Sequence, residues 1–434
     1  MKKKILAWCD FVAPTGFANV AKNLLNDIHQ EFDISIVGIN YFGDRKYDTD
    51  KYFVYSVTQD DMIGIKRLVT IAQRDQPDLI FLFQDIFHIS DHIDRIKQVS
   101  PKSKIVVYFP VDGAPFSIGW KNVLDKADII ITYSDWAIKV IRETFPDFKK
   151  PIHKLYHGVD ITTFFPFTPE KILEARKNNG WENKFTVINV NRFQPRKAIP
   201  LSLRAFSMFA KGYKVCSCGN EYPIHLKTCD LNGCSEKEVI KVMNNPKEDV
   251  FLYLHMMKQE WSMGPGRTNL LQSHLLAAGF TDKDYNKIIG INDKSIYNQD
   301  VPESKLNELY NGANLNMTTT MGEGCGLSLL ESAATGTPSI APNNSAVAEQ
   351  LNGTGILIKN ITTFSHPNDN AYVRPIVDVR ALRDGLKTAY NTWKAAKVQK
   401  TVYQACVDNI KTNFMWDDKR ELLAGWFKEA LRGS

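Results

Sequence analysis

Residues 318–342 read Thr-Thr-Thr-Met-Gly-Glu-Gly-Cys-Gly-Leu-Ser-Leu-Leu-Glu-Ser-Ala-Ala-Thr-Gly-Thr-Pro-Ser-Ile-Ala-Pro. A short apolar strand pattern, Ala313 to Met317, runs into this glycine-rich turn. The turn opens a helix, Leu327 to Thr335, that stops at Gly336 and Pro338. Gly324 and Gly326 let main-chain amides approach a ligand closely. The helix start adds unpaired donors and a partial positive charge. Gly324, Cys325, Gly326 and Leu327 therefore form an anion seat suited to a diphosphate. Glu323 and Glu331 flank it, and helical side chains lean toward the N-terminus, so Glu331 points back at the loop. Carboxylates repel phosphate, so these two are suited to hold sugar hydroxyls beside it. One phosphate cradle with two hydroxyl acceptors fits a nucleotide sugar.

Working outward, Phe185 to Val190 reads as a buried strand, followed by Asn191-Arg192-Phe193-Gln194-Pro195-Arg196-Lys197. The chain begins with another short strand, Lys4 to Cys9, then Asp10 and the turn Ala13-Pro14-Thr15-Gly16-Phe17. A helix pattern follows, with Val20, Leu24, Leu25 and Ile28 on one face. A dinucleotide fingerprint would need three spaced glycines here, and this turn has only Gly16, so that reading fails. Apolar runs alternate with helical periodicity throughout, which predicts α/β layers with parallel sheets. A strand from Lys104 to Tyr108 leads into Phe109-Pro110-Val111-Asp112-Gly113. Asp112, at a strand's C-terminal end, is placed to orient an acceptor hydroxyl or to serve simply as a turn residue. His88 and His157 are alternatives for that role.

These landmarks resemble one family, the retaining glycosyltransferases of the GT-B fold, family 4. The family frame is Glu-Gly-aromatic-Gly-Leu, then Glu eight positions after the first, then Gly-x-Pro. It is matched by Glu323-Gly324-Cys325-Gly326-Leu327, Glu331, Gly336 and Pro338, with Cys325 standing where an aromatic is usual. The Arg192 to Lys197 segment is similar to the family's Gly-Arg-x4-Lys, with Asn191 in place of the glycine. His157-Gly158-Val159-Asp160 with Phe165-Pro166 also match, and Phe414-Met415-Trp416 resembles the apolar anchor that opens the family's last helix.

The resemblance implies two facing Rossmann-like, doubly wound domains: residues 1–165 on the acceptor side and 166–395 on the nucleotide-sugar side. A C-terminal helix (396–434, about Lys397 to Leu431) would return to the first domain. It implies Glu323 near the transferred sugar, Glu331 on the ribose, and Arg192 with Lys197 neutralising the leaving diphosphate. Gly16 would approach the donor or acceptor. Asn314 to Thr320 and Lys258 to Gly266 would frame the base. Many relatives carry a His near Asp112, which this chain lacks. The family's front-face mechanism passes the acceptor proton to the leaving phosphate, so no protein base is strictly required and no catalytic metal is expected. UDP-glucose is the default donor. The Pro14-Thr15-Gly16-Phe17 and Val111-Asp112-Gly113 segments look like bacteriophage-encoded members, which makes 5-hydroxymethylcytosine in DNA the leading acceptor. Envelope saccharides, lipids and small molecules are the alternatives. A phosphorylase, a sugar-nucleotide epimerase and a non-catalytic binding protein are the rival functions.

Four of the seven cysteines, Cys216, Cys218, Cys229 and Cys234, fall in a Gly/Asn/Lys-rich insert at 212–245. So small a segment cannot build an apolar core, and a structural zinc on four thiolates, or on three plus His225, would organise it. Disulfides and plain loop thiols are the competing accounts. At 434 residues, 44% hydrophobic and 24% charged, the chain suits a two-domain globular enzyme. The apolar run after Lys2-Lys3-Lys4 is too short for a signal peptide and is interrupted by Asp10. With no apolar stretch near the ~20 residues of a membrane span, a cytoplasmic location is expected. The net charge of +6 arises beyond residue 160, where 33 basic residues face 27 acidic ones. That is compatible with nucleic acid but does not demand it. Asp48-Thr49-Asp50 is the metal signature of the other large glycosyltransferase fold, but it lacks the strand-end context that signature requires.

Overall fold

The computed structural model describes residues 2–43, 51–231, 234, 238–256, 270–292, 301–366 and 369–432. Asp48-Thr49-Asp50 and the Lys258 to Gly266 segment lie outside the described residues. Seven strands make the first sheet: β1 (Lys4–Asp10), β2 (Asp33–Ile39), β3 (Phe53–Tyr55), β4 (Leu79–Phe83), β5 (Lys104–Phe109), β6 (Ile129–Thr132) and β7 (His153–Lys154). Their order is 3-2-1-4-5-6-7 and every pairing is parallel. Strands buried on both faces need continuous apolar runs, and Leu79–Phe83 (Leu-Ile-Phe-Leu-Phe) supplies one with every residue buried.

The second sheet repeats the plan. Next in the chain come β8 (Phe185–Val190), then β9 (Tyr213–Cys216), β10 (Glu221–Pro223) and β11 (Val239–Met243), then β12 (Val250–His255), β13 (Ile289–Ile291), β14 (Leu315–Met317), β15 (Ser339–Pro342) and β16 (Ile356–Ile358). Strands β9 to β11 form a small antiparallel sheet of their own, within the cysteine-rich insert. The rest form a parallel sheet ordered 13-12-8-14-15-16. In both sheets the order reverses beside the first strand, and ligand crevices in open α/β sheets form at the carboxyl ends at such a switch. A last antiparallel pair, β17 (Asn360–Ser365) with β18 (Val373–Val377), stands apart as an arm.

One correction concerns the chain's end. The expected single helix from Lys397 to Leu431 is two helices, Gln404–Asn413 and Trp416–Arg432, broken at Phe414-Met415. The first packs with the second sheet, burying Cys406 and Ile410 beside Leu330 and Ala333. The second crosses to the first sheet, where Phe427 meets Phe81 at 5.2 Å and Phe32 at 5.9 Å between ring centroids. Two continuous helices aimed at different layers need a break between them. Phe414 provides it, buried as an anchor, with its carbonyl accepting from the Val159 amide.

Candidate active site

The loop at 322–326 is seated by both halves of the molecule. The Glu323 amide donates to Ser345 Oγ (3.0 Å) and the Gly326 amide to Gln350 Oε1 (3.3 Å), so these two N–H groups are used internally. The helix Leu327–Ala334 has Gly326 as N-cap and no side-chain cap, which leaves its first turn as the donor-rich end expected of an anion seat. A Cβ on Gly322 would lie 1.9 Å from the Asp112 carbonyl oxygen, and one on Gly324 would lie 2.6 Å from Pro110 Cβ. These two glycines thus serve close approach of the first domain.

Glu323 is buried and clamped by two cations. Lys197 Nζ donates to Oε1, and Arg196 Nη1 donates to Oε2 at 3.0 Å and to the Gly322 carbonyl at 2.9 Å. Burial alone would push the Glu323 carboxyl up, but Lys197 and Arg196 outweigh it and hold it down at about 2. Sequence reasoning placed Lys197 here and missed Arg196. Arg192 is exposed, whereas Arg196 lies in the short 3-10 turn Pro195–Lys197 that turns both cations onto the loop. Adjacency to Lys197 was the one available signal.

Arg196 also reaches across the cleft, with Nε 3.3 Å from Asp112 Oδ2. Asp112 is joined near the carboxyl ends of the first sheet by Asp10, which ends β1, and by Asp85, which follows β4. Asp10 accepts from Asn40 Nδ2 (3.3 Å) and Gln84 Nε2 (3.1 Å). Burial raises both of these acids. For Asp85 the nearby Asp112 adds to the effect and Arg196 opposes it, leaving the carboxyl at about 6. This acidic floor was not foreseen beyond Asp112, because the three acids are far apart in sequence and meet only through the strand order. His88 lies on the next short helix with its ring 4.4 Å from that of Phe87.

On the other side of the seat, Glu331 accepts from Tyr310 Oη at 3.0 Å. Burial raises its carboxyl to about 7 against that hydrogen bond. Gly16 begins the helix capped by Thr15 Oγ1, and a Cβ there would touch Leu327 Cδ1 at 3.4 Å, so the first βα turn abuts the seat. Cys325 is boxed in by Gln350 Nε2 (3.2 Å), and burial pushes its thiol up to about 12, which makes it inert. Aromatic bulk comes instead from the first domain, where Tyr133 and His157 lie 4.2 Å apart between centroids. The Tyr133 hydroxyl and both His157 ring nitrogens are buried without a hydrogen-bond partner among the described residues. Asn314, Asn316 and Thr318 to Thr320 are buried and bonded within the second domain.

In the insert, the four cysteine sulfurs lie within 4.8 Å of one another, with Cys216–Cys234 at 3.8 Å and Cys218–Cys229 at 3.7 Å. Tetrahedral zinc with bonds of about 2.3 Å places its sulfurs about 3.8 Å apart, whereas a disulfide needs about 2.05 Å. The residues fit a metal. His225 is turned away, with Nε2 3.1 Å from the Ala277 carbonyl, so the fitting set is the four thiols.

Residues 263–366 match the family model described as Glycosyl transferases group 1. YtcC of Bacillus subtilis (strain 168), a glycosyltransferase by provisional name, is 30% identical over 125 residues; the match spans 26% of this chain and 30% of that relative. Sucrose-phosphate synthase of Thermosynechococcus elongatus superposes with TM-score 0.68 at 12% identity, covering 100% of both chains. A glycosyltransferase of Rickettsia africae ESF-5 gives 0.66 at 14%, again over 100% of both. Anabaena Alr3699/HepE, solved with UDP-glucose, gives 0.60 at 14%, covering 98% of this chain and 99% of that one. These superpositions show the fold to be GT-B. With the family match they support a place among the group 1 glycosyltransferases. Among the described residues, no helix is long and apolar enough to cross a membrane.

Proposed function

We propose that the protein is a hexosyltransferase that moves a sugar from a nucleotide sugar, UDP-glucose in the first instance, to a hydroxyl acceptor with retention of configuration. The observation that carries this reading is the buried Glu323 carboxylate held between Lys197 and Arg196, beside an uncapped helix start and opposite Asp112. The HepE complex with UDP-glucose supports the choice of donor. The diphosphate lies on the helix start with Lys197, Arg196 and Arg192 around it, Glu323 holds hydroxyls of the hexose, and Glu331 holds the ribose. The bond from the sugar's anomeric carbon to the β-phosphate oxygen breaks as the cations take up the developing charge. The acceptor oxygen bonds to the same face of that carbon, and the departing phosphate oxygen takes the acceptor proton. Residues 1–165 present the acceptor, residues 166–395 hold the donor, and residues 396–434 tie the two together.

Cys216, Cys218, Cys229 and Cys234 hold a structural zinc, which supplies no catalytic chemistry because four protein ligands leave no open position. A cytoplasmic location belongs to the same reading. The leading acceptor is 5-hydroxymethylcytosine in DNA. The acids Asp10, Asp85 and Asp112 suit a neutral hydroxyl but repel a phosphate backbone, so such a base must be flipped out of its duplex. The same floor favours a second reading, a saccharide whose hydroxyls these carboxylates accept. UDP-, GDP- and CMP-sugars crossed with hydroxymethylated DNA, unmodified DNA and saccharide acceptors test both, with products read by mass spectrometry and anomeric configuration by NMR. A new glycoside of retained configuration, formed equally well in EDTA, is expected. Absence of both transfer and hydrolysis with every donor would overturn the proposal.

A further inference from the structure

The arm β17–β18 belongs by sequence to the second domain, yet its inner end is built into the first. Tyr372 is 4% exposed and lies in the first domain's core cluster with Val111, Phe116 and Trp120, its ring 6.2 Å from that of Trp120. Gly113 leaves room for it, since a Cβ there would come within 2.3 Å of the Tyr372 ring. The Val373 amide donates to the Ala114 carbonyl at 2.6 Å. Arg374, with its side chain 3% exposed, stacks over Tyr372 with its guanidinium carbon 4.7 Å from the ring centroid. Asp369 braces the fork at 2.6 and 2.7 Å. The free edge of that fork holds Asp112 twice, with Nη1 2.5 Å from its carbonyl oxygen and Nη2 3.4 Å from Oδ1.

We propose that Arg374 is the positioning residue for Asp112, and that the arm carries it across the cleft for that purpose. The inference rests on the acceptor-side role given to Asp112 above. A first-domain carboxylate between two strongly held guanidiniums, Arg374 on Oδ1 and Arg196 on Oδ2, has both oxygens fixed relative to the Glu323 loop. A buried, bidentately braced arginine does this with little entropic loss on each cycle. Arg374 also lies against the loop itself, with Nη1 2.8 Å from where a Gly322 Cβ would be. Acceptor geometry is thus set by the donor domain, and a hydroxyl brought to Asp112 is aligned with a sugar held on Glu323.

Two readouts test this. Hydrogen exchange at amides 111–114 is expected to rise about tenfold in Arg374→Ala and much less in Arg374→Lys, which keeps the charge. Unchanged exchange in Arg374→Ala overturns the proposal whatever the substrate. In UDP-glucose hydrolysis, with water as acceptor, Arg374→Ala is expected to lower kcat about tenfold and leave KM within about twofold. In an Asp112→Asn background the same substitution is expected to add nothing, as required of a residue that acts through its partner. A kcat loss of equal size in both backgrounds would make Arg374 merely structural and defeat the inference. A wild-type protein that neither binds nor hydrolyses any nucleotide sugar would defeat the proposed function instead, and the exchange result would still decide the role of the arm.

Discussion

Glu323 is the counter-charge for Lys197 and Arg196, and in the proposed reaction it also holds the sugar. Glu323→Gln and Lys197→Ala are each expected to lower turnover ~10²-fold or more. Glu323→Gln also leaves two partly buried cations without their counter-charge, so chemical denaturation is expected to show a loss of about 1–3 kcal/mol. With its folded-state carboxyl at about 2, below the ordinary value of 4.5, Glu323 stabilises the protein above pH 4.5. That contribution is lost as the pH falls toward 2. Glu331 has the opposite sign. Its raised value of about 7 means the folded protein holds a proton that the unfolded chain has released, so its contribution to stability declines as the pH rises from 4.5 to 7. Glu331→Gln is accordingly expected to melt higher than wild type above pH 7 and alike below pH 4.5. Donor binding near pH 6 is expected to release protons, read by calorimetry in buffers of different ionisation enthalpy; proton uptake would contradict the ribose role. Glu323 and Glu331 were legible as candidates because a fixed spacing within one loop and one helix marks them, and Lys197 because its segment resembles the family's Gly-Arg-x4-Lys. Arg196, Asp85 and Arg374 were not, since their partners lie on other elements and no local period records them.

At the scale of elements, the strand–turn–helix units were readable because each is written in consecutive residues: the apolar run, the glycine turn, the cap. The cysteine insert was readable for the same reason, although its three-stranded form was not. The arm was invisible. Asn360–Ser365 is exposed along most of its length and alternates too weakly to announce a strand. The anchor Phe414-Met415-Trp416 marked where the last helix opens, but the separate helix Gln404–Asn413 before it depends on which layer each half covers, which helical periodicity does not encode. Two expectations belong here. Gly322→Ala must push the loop off the Asp112 carbonyl, so a widened cleft in small-angle scattering and a turnover loss of ~10²-fold or more are expected; wild-type rates would show the close approach to be dispensable. Purified protein is expected to contain about one zinc per chain by elemental analysis, and Cys229→Ser with Cys234→Ser to abolish it. Metal loss should loosen the insert's ties to the helices Ile199–Ala210 and Val379–Ala396, where Asp230 meets Arg204 at 2.5 Å and Glu221 meets Arg383. Protease cleavage within 212–245 would report it.

For the molecule as a whole, the two sheets are bound by more than the cleft. Glu349 of the second domain accepts from the amides of Asp135 (3.1 Å) and Trp136 (2.5 Å), satisfying the start of a first-domain helix, and Asn19 Nδ2 meets Glu303 at 2.7 Å. The helix Trp416–Arg432 covers one face of the first sheet with Leu423, Phe427 and Ala430. Phe427→Ala is expected to cost about 3–5 kcal/mol. Its raised hydrogen exchange should appear in β1 and β4 and spare β8 and β14; a uniform rise would mean that the halves unfold as one. This late helix also has a consequence for synthesis. On the ribosome, strands β1 to β7 emerge early, but the seventeen residues that roof them are translated only after the entire second sheet. The nascent first half must therefore wait with an oily flank uncovered until the last stretch of the polypeptide has been made.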